Sequence, residues 1–158
     1  MSIDIYGKCG PLKCPKTNKS KCYELIKQKY YFYFSLENSF DEDYVTEKVM
    51  TALDNYAVPV VFGGANYSRF LPPGSYLDGK QLGPEVLAEQ MHMIISNRSM
   101  YYDFFRWRNH FVYKETAYRE DVCTLCTMMN NEQKLAEPTT WVDFKSWWNG
   151  RKHEEICA

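Results

Sequence analysis

The sequence predicts an α/β domain with a parallel sheet and flanking helices, and three observations carry that prediction. Two short apolar runs, Tyr31-Phe32-Tyr33-Phe34-Ser35-Leu36 and Val58-Pro59-Val60-Val61-Phe62, read as strands. An amphipathic helical pattern lies between them, and further helical periodicity follows. Continuous apolar runs of this length fit strands covered on both faces, as parallel strands are. Strand, helix and strand within roughly 30 residues form a βαβ unit, whose crossover should be right-handed.

The elements follow in order. Ile3-Asp4-Ile5-Tyr6-Gly7 reads as the end of a strand, and Cys9 to Cys22 as a loop rich in Gly, Pro and Lys. A short helix is expected from Lys21 to Lys29, then the first apolar strand. The acidic turn Asp41-Glu42-Asp43 is expected to start a helix, because carboxylates are favourable at a helix N-terminus. Val45, Val49, Ala52, Leu53 and Tyr56 recur at helical spacing and define its buried face. The second strand closes at Gly63-Gly64. Ser75-Tyr76-Leu77 reads as a short strand, and Pro84 as a helix start. Leu87, Met91, Ile94 and Ile95 mark that helix, and another is expected from Met100 to Phe111. Cys123 and Cys126 fall on a later helix. Residues 1–137 thus read as one binding domain. Residues 138–158, with Trp141, Phe144, Trp147 and Trp148, read as a Trp-rich tail that packs back on it.

Composition narrows the class. With 158 residues, one compact domain is the default. Hydrophobic residues at 45% and charged residues at 25% argue against disorder. A formal net charge of -1 argues against a nucleic-acid partner. Aromatics at 16%, with 13 Tyr, supply apolar bulk with polar tips, suited to a core or to a sugar or nucleobase site. Six cysteines, at Cys9, Cys14, Cys22, Cys123, Cys126 and Cys157, suit disulfides in an oxidising compartment. Three Asn-x-Ser sequons at Asn18, Asn66 and Asn97 point the same way and are candidate glycosylation sites. The apolar runs are all far short of the roughly 20 residues of a transmembrane helix. Lumenal chemistry without a leader or anchor reads as part of a longer protein.

Chemistry concentrates where the first strand meets the following helix. In open α/β sheets ligands sit beyond the carboxyl ends of the strands, and helix N-termini there attract phosphates. The strand delivers Glu37-Asn38-Ser39, and the helix opens with Tyr44-Val45-Thr46-Glu47-Lys48. On a helix Tyr44, Glu47 and Lys48 would share an arc of roughly 100°, off the apolar stripe. Lys48 would supply a cation for a diphosphate, Tyr44 a ring or hydroxyl, and Glu47 an acceptor for sugar hydroxyls. The plain alternative is a solvated face with an ordinary Glu/Lys pair.

The run Phe34-Ser35-Leu36-Glu37-Asn38-Ser39, then Asp43-Tyr44-Val45-Thr46-Glu47-Lys48, then Ala57-Val58-Pro59-Val60-Val61, resembles the donor-binding signature of the α-1,3/4-fucosyltransferases. Cys123-Thr124-Leu125-Cys126 is similar to the Cys-x-x-Cys that closes their catalytic domain. Tyr6-Gly7-Lys8-Cys9-Gly10 with Cys14-Pro15 resembles invertebrate members acting on N-glycan cores. The resemblance implies the Rossmann-like C-terminal domain of a two-domain GT-B enzyme, which binds GDP-fucose as donor. It implies a single displacement with inversion, onto a GlcNAc hydroxyl of a glycoprotein N-glycan. By the same resemblance Lys48 contacts the diphosphate, and Asn38, Tyr44 and Glu47 the nucleoside or fucose. No catalytic residue is expected in this chain, because the family's base lies upstream in the acceptor half; the chain alone should bind donor weakly and transfer nothing. A single-pass type II membrane protein of the Golgi lumen is implied, its anchor lying outside these residues.

Other signals have simpler readings. Asp41-Glu42-Asp43 spells the D-x-D of metal-dependent transferases, but helix capping and acidic bias explain it as well. No obligatory metal is expected; stimulation by Mn2+ or Mg2+ is compatible with the site. Cys9, Cys14, Cys123 and Cys126 could instead hold zinc, though the sequons favour disulfides, with connectivity left open. His92, His110 and His153 show no ligand spacing. A transferase of another donor sugar, or a non-catalytic nucleotide-sugar-binding or cysteine-stapled module, are the alternative functions.

Overall fold

The computed structural model describes residues 2–14, 16–112, 118–137, 140 and 142–145. It divides into two units, Met1–His110 and Phe111–Ala158.

In the first unit a 3-10 turn leads into α1 (Lys19–Lys29), followed by β1 (Phe32–Leu36), α2 (Glu47–Asp54), β2 (Val58–Phe62), β3 (Leu77–Asp78), α3 (Gly79–Ser96) and α4 (Arg98–Asp103). The strands form one parallel sheet in the order β1-β2-β3, with Phe34 opposite Val60 and Val60 opposite Leu77. The α/β expectation with a parallel sheet holds.

The core sits on both faces of β2, and strand alternation assigns its residues. Val61 packs with Val49 and Leu53 of α2 and with Tyr67, Leu71 and Trp107. Val58 and Val60 face the other way, against Leu77 and against Met91 and Ile94 of α3, with Phe32 and Phe34 alongside. Val58, Val60 and Val61 are essentially inaccessible to water. Each is worth about 1.5–3 kcal/mol of burial, so this strand is the centre of the domain.

Several sequence expectations need correction. Residues 3–7 form no strand; only an isolated bridge joins Tyr6 to Leu12. β1 is covered less fully than expected, with Phe32, Tyr33 and Phe34 half-buried and Leu36 48% exposed. Among the described residues it is an edge strand, paired only with β2. The acidic turn does not start α2, which begins at Glu47 after the N-cap residue Thr46. Asp41-Glu42-Asp43 is a turn on its own: Asp41 Oδ1 accepts from the Glu42 N–H, and the Asp41 carbonyl accepts from the Tyr44 N–H. Its acidity is therefore not helix capping. The helix expected over Met100 to Phe111 is instead α4 and a 3-10 turn, Arg106–Asn109.

Pro84 does start a helix. Gly83 adopts φ 71° within α3 and breaks it, so Pro84 opens the longer second segment. The α2 C-terminus is closed by Tyr56 at φ 56°, a left-handed position normally held by Gly. The Ala57 N–H returns to the Ala52 carbonyl and the Tyr56 N–H to the Leu53 carbonyl. Arg108 also donates to that Leu53 carbonyl, and the Tyr101 hydroxyl donates to the Tyr56 carbonyl at 2.7 Å.

The second unit contains α5 (Tyr118–Met129) and α6 (Glu132–Ala136). Cys123 and Cys126 lie on α5, as expected. Cys14 is bonded to Cys22, while Cys9, Cys123 and Cys126 are unpaired among the described residues and Cys157 lies outside them. Cys14 spends its sulfur on Cys22, which removes it from the zinc set. No group of three or more metal-ligating side chains occurs among the described residues. No described helix is long and apolar enough to cross a membrane. Most of the Trp-rich tail, Trp141, Trp147 and Trp148 included, lies outside the described residues.

Candidate functional site

The site forms where β1 ends. Tyr33, Ser35 and Glu37 share the face that looks toward α2, since strand residues alternate. Ser35 Oγ donates to the Lys48 carbonyl at 3.2 Å, fixing the first turn of α2 over the end of β1. The Glu37 N–H continues the ladder to the Phe62 carbonyl at 2.9 Å. That pairing draws the Glu37 carboxylate beneath α2, where its side chain has no exposure to water.

A buried carboxylate requires partners. Glu37 Oε1 accepts from the Thr46 N–H at 2.8 Å and from Thr46 Oγ1 at 3.1 Å. Oε2 accepts from Thr46 Oγ1 at 2.8 Å and from Lys48 Nζ at 2.9 Å. Lys48 Nζ also donates to Thr46 Oγ1 at 3.0 Å. Thr46 caps α2 with no local side-chain bond, and Glu37 satisfies its orphan N–H from a distance. Desolvation, the largest influence, pushes the Glu37 pKa up; the hydrogen bonds from Lys48 and Thr46 together with the ammonium's charge outweigh it, so the net displacement is downward. For Lys48, desolvation pulls down, but Glu37 prevails and the pKa is raised, with Glu47 and Tyr44 adding to it. Both groups are therefore charged at neutral pH.

The loop carrying the other candidates is held from two further sides. A side chain at Gly64 would place its Cβ 2.6 Å from the Phe40 carbonyl carbon and the Asp41 nitrogen, so the loop crosses the end of β2 where only Gly fits. Arg69 Nη1 donates to Asp43 Oδ1 at 2.7 Å, tying the acidic turn to the 3-10 turn Tyr67–Arg69. Asp43 thus has an ion-pair partner.

Of the sequence candidates, Lys48 and Glu47 open α2 as expected, with Lys48 23% exposed through its side chain and Glu47 exposed. Tyr44 does not share their helix: it precedes the N-cap, so the helical-arc argument fails for it. It remains near enough to Lys48 to influence its charge. Asn38 is exposed at the first bend after β1. Among the described residues, no hydrogen bond holds the side chains of Asn38, Tyr44 or Glu47. Two residues that sequence reasoning passed over, Glu37 and Thr46, make the tightest network. Strand parity carried the signal, because it places Glu37 on the same face as Ser35.

The candidate glycosylation sites are all at turns. Asn66 and Asn97 are exposed and Asn18 is partly buried. Asn66 Oδ1 accepts from Ser68 Oγ at 2.7 Å, and Asn97 Oδ1 caps α4 through the Ser99 and Met100 N–H groups.

Comparison with known proteins gives the same reading of the fold. A crystal structure of an alpha1,3-fucosyltransferase superposes with a TM-score of 0.50 at 16% identity, over 83% of this chain and 39% of that one. That likeness supports the GT-B, Rossmann-like fold. The alpha-(1,3)-fucosyltransferase C of Drosophila melanogaster is 39% identical over 147 residues, covering 92% of this chain and 34% of that protein. The glycoprotein 3-alpha-L-fucosyltransferase A of the same organism is 32% identical over 154 residues, covering 95% and 30%. The alpha-(1,3)-fucosyltransferase fut-1 of Caenorhabditis elegans is 32% identical over 152 residues, covering 87% and 34%. The chain thus spans about a third of the length of these relatives. Residues 1–147 match the C-terminal part of glycosyltransferase family 10 (fucosyltransferase), a span that includes the whole Glu37–Lys48 network, and the chain belongs to that family.

Proposed function

We propose that this chain is the donor half of an inverting α-1,3-fucosyltransferase that moves L-fucose from GDP-fucose to a GlcNAc hydroxyl of a glycoprotein N-glycan. The observation that carries the proposal is the placement of Lys48. Its charged ammonium stands at the start of α2, beyond the carboxyl end of β1, where phosphates bind in such sheets. Lys48 stabilises charge on the departing diphosphate. Asn38, Tyr44 and Glu47, unheld by other described side chains, serve the nucleoside or fucose. Residues 1–137 are the donor-binding part of the enzyme.

The acceptor hydroxyl loses its proton to a carboxylate supplied by the acceptor half, and this chain contributes no catalytic base. Diphosphate neutralisation by Lys48 makes a metal non-obligatory, with Mn2+ or Mg2+ at most stimulating. Two of the relatives are named as α-1,3-fucosyltransferases and a third as a glycoprotein fucosyltransferase, which supports the linkage and the acceptor class. The exposed sequons at Asn66 and Asn97 and the Cys14–Cys22 bond fit a Golgi-lumenal protein, anchored as a type II membrane protein by a segment outside these residues.

Calorimetric titration of the oxidised chain with GDP, GDP-fucose and UDP in EDTA tests the donor assignment. Guanine-selective, metal-independent binding is expected. Equal binding of UDP, or a requirement for divalent ions, refutes it. Fucose transfer by the 158-residue chain alone would overturn the assignment of the base.

A further inference from the structure

Glu37 makes none of the donor contacts proposed above, yet three donors of the site, the Thr46 N–H, the Thr46 hydroxyl and the Lys48 ammonium, converge on its carboxylate. It has no exposure through its side chain, whereas Lys48 keeps 23%. A diphosphate entering the crevice therefore meets the ammonium and not the carboxylate. An ammonium carries three N–H donors. Glu37 Oε2 and Thr46 Oγ1, 2.8 Å apart, both accept from it, so the protein grips one side of the ammonium and leaves N–H capacity on the other side for a ligand. Thr46 is held in turn, because its own N–H and hydroxyl both end on Glu37.

We propose that Glu37 is a positioning residue for the donor diphosphate, acting through Lys48: it holds the ammonium from one side and so presents its free N–H side to the ligand instead of leaving a mobile cation. The inference rests on Lys48 as the diphosphate contact. It separates two roles of one carboxylate, since merely capping α2 would support the site regardless of what occupies position 48.

A double-mutant cycle distinguishes them. Glu37→Asp keeps the charge and removes one methylene of reach, so it disturbs aim without altering the electrostatics. GDP affinity is measured by calorimetry on the 158-residue chain for wild type, Glu37→Asp, Lys48→Met and the double variant, with the fitted stoichiometry reporting the folded fraction. Glu37→Asp should weaken GDP binding roughly tenfold when Lys48 is present, the scale of one charge-assisted contact, and less than about twofold when it is Met. Thr46→Val, which deletes the bridging hydroxyl and leaves both charges, should show the same dependence on Lys48 and replaces Glu37→Asp where that variant folds poorly. Equal losses in both backgrounds, or no loss in either, overturn the positioning role. If wild type binds GDP, Lys48→Met weakens it and Glu37→Asp is neutral, this inference alone falls. If Lys48→Met binds GDP as wild type does, the donor-site reading falls with it.

Discussion

Replacing Lys48 should cost stability as well as binding, and the structure sets the size of the effect. Lys48→Met leaves the Glu37 carboxylate without a cation at a place where its side chain is wholly shielded from water. Stripping one partner from a buried pair costs about 3–5 kcal/mol. Glu37 keeps its bonds to the Thr46 N–H and hydroxyl, and Lys48 is partly in water, so the low end, about 3 kcal/mol, is expected. Against a domain stability of about 5–15 kcal/mol this is readily seen in urea unfolding at pH 7. The double replacement Glu37→Gln/Lys48→Met removes both charges and should recover to within about 1 kcal/mol of wild type. The pH dependence follows from the sign of the shift. In wild type the Glu37 pKa is held below its ordinary 4.5, so its contribution is full above that value and is lost as pH falls through the lower folded pKa. Without Lys48 its hydrogen bond and charge no longer lower that pKa, so the pKa rises and the penalty of Lys48→Met should shrink on acidification. A penalty under about 1 kcal/mol at pH 7, or a double variant no more stable than the single one, would refute the account of a buried pair.

Other perturbations probe the supports of the site. Gly64→Ala drives a methyl into the Phe40–Asp41 backbone and should destabilise by about 1–3 kcal/mol, with a matching fall in Tm and weaker GDP binding as the 38–46 loop shifts. Tyr56→Gly relieves a left-handed residue but removes a ring that stacks 4.3 Å from the Arg108 guanidinium, so unfolding free energy should change by less than about 1 kcal/mol. Tyr56→Val keeps the strain and loses the ring, and should cost about 2 kcal/mol or more in the same assay. Cys14→Ser/Cys22→Ser opens a short loop beside α1, a helix with no buried residue. Loop closure of that length is worth about 2.5 kcal/mol, and hydrogen exchange should show the loss concentrated in α1 rather than in β2.

The βαβ unit was legible because its signals are local. The apolar run of β2 and the spacing of Val49, Ala52 and Leu53 each report burial within a few residues. Where one residue's position depends on a distant partner, local reasoning failed. The acidic turn looked like a helix start, yet Asp43 belongs to Arg69, 26 residues on. Tyr44 fits a helical arc in sequence, but the helix waits for Thr46 because Glu37 offers its N–H a better acceptor than any local side chain. Tyr56 matched the apolar stripe and instead terminates the helix, an αL position the side chain tolerates only with Tyr101 and Arg108 closing around the carbonyls of that turn.

The donor residues thus depend on three supports of unequal strength. Arg69 and Asp43 are both more than half exposed, so their pair contributes no more than about 1 kcal/mol and weakens with salt. Gly64 acts by exclusion: it allows the loop to lie against β2 but does not pull it there. Only Glu37 both attracts and orients, reaching the start of α2 from the last residue of the β1 ladder. Removing the Arg69–Asp43 pair with Arg69→Ala should therefore leave GDP affinity within about threefold of wild type and insensitive to salt beyond that shared by both proteins. A loss as large as that expected for Glu37→Asp would mean that the loop, and not the β1–α2 junction, sets the geometry of the site.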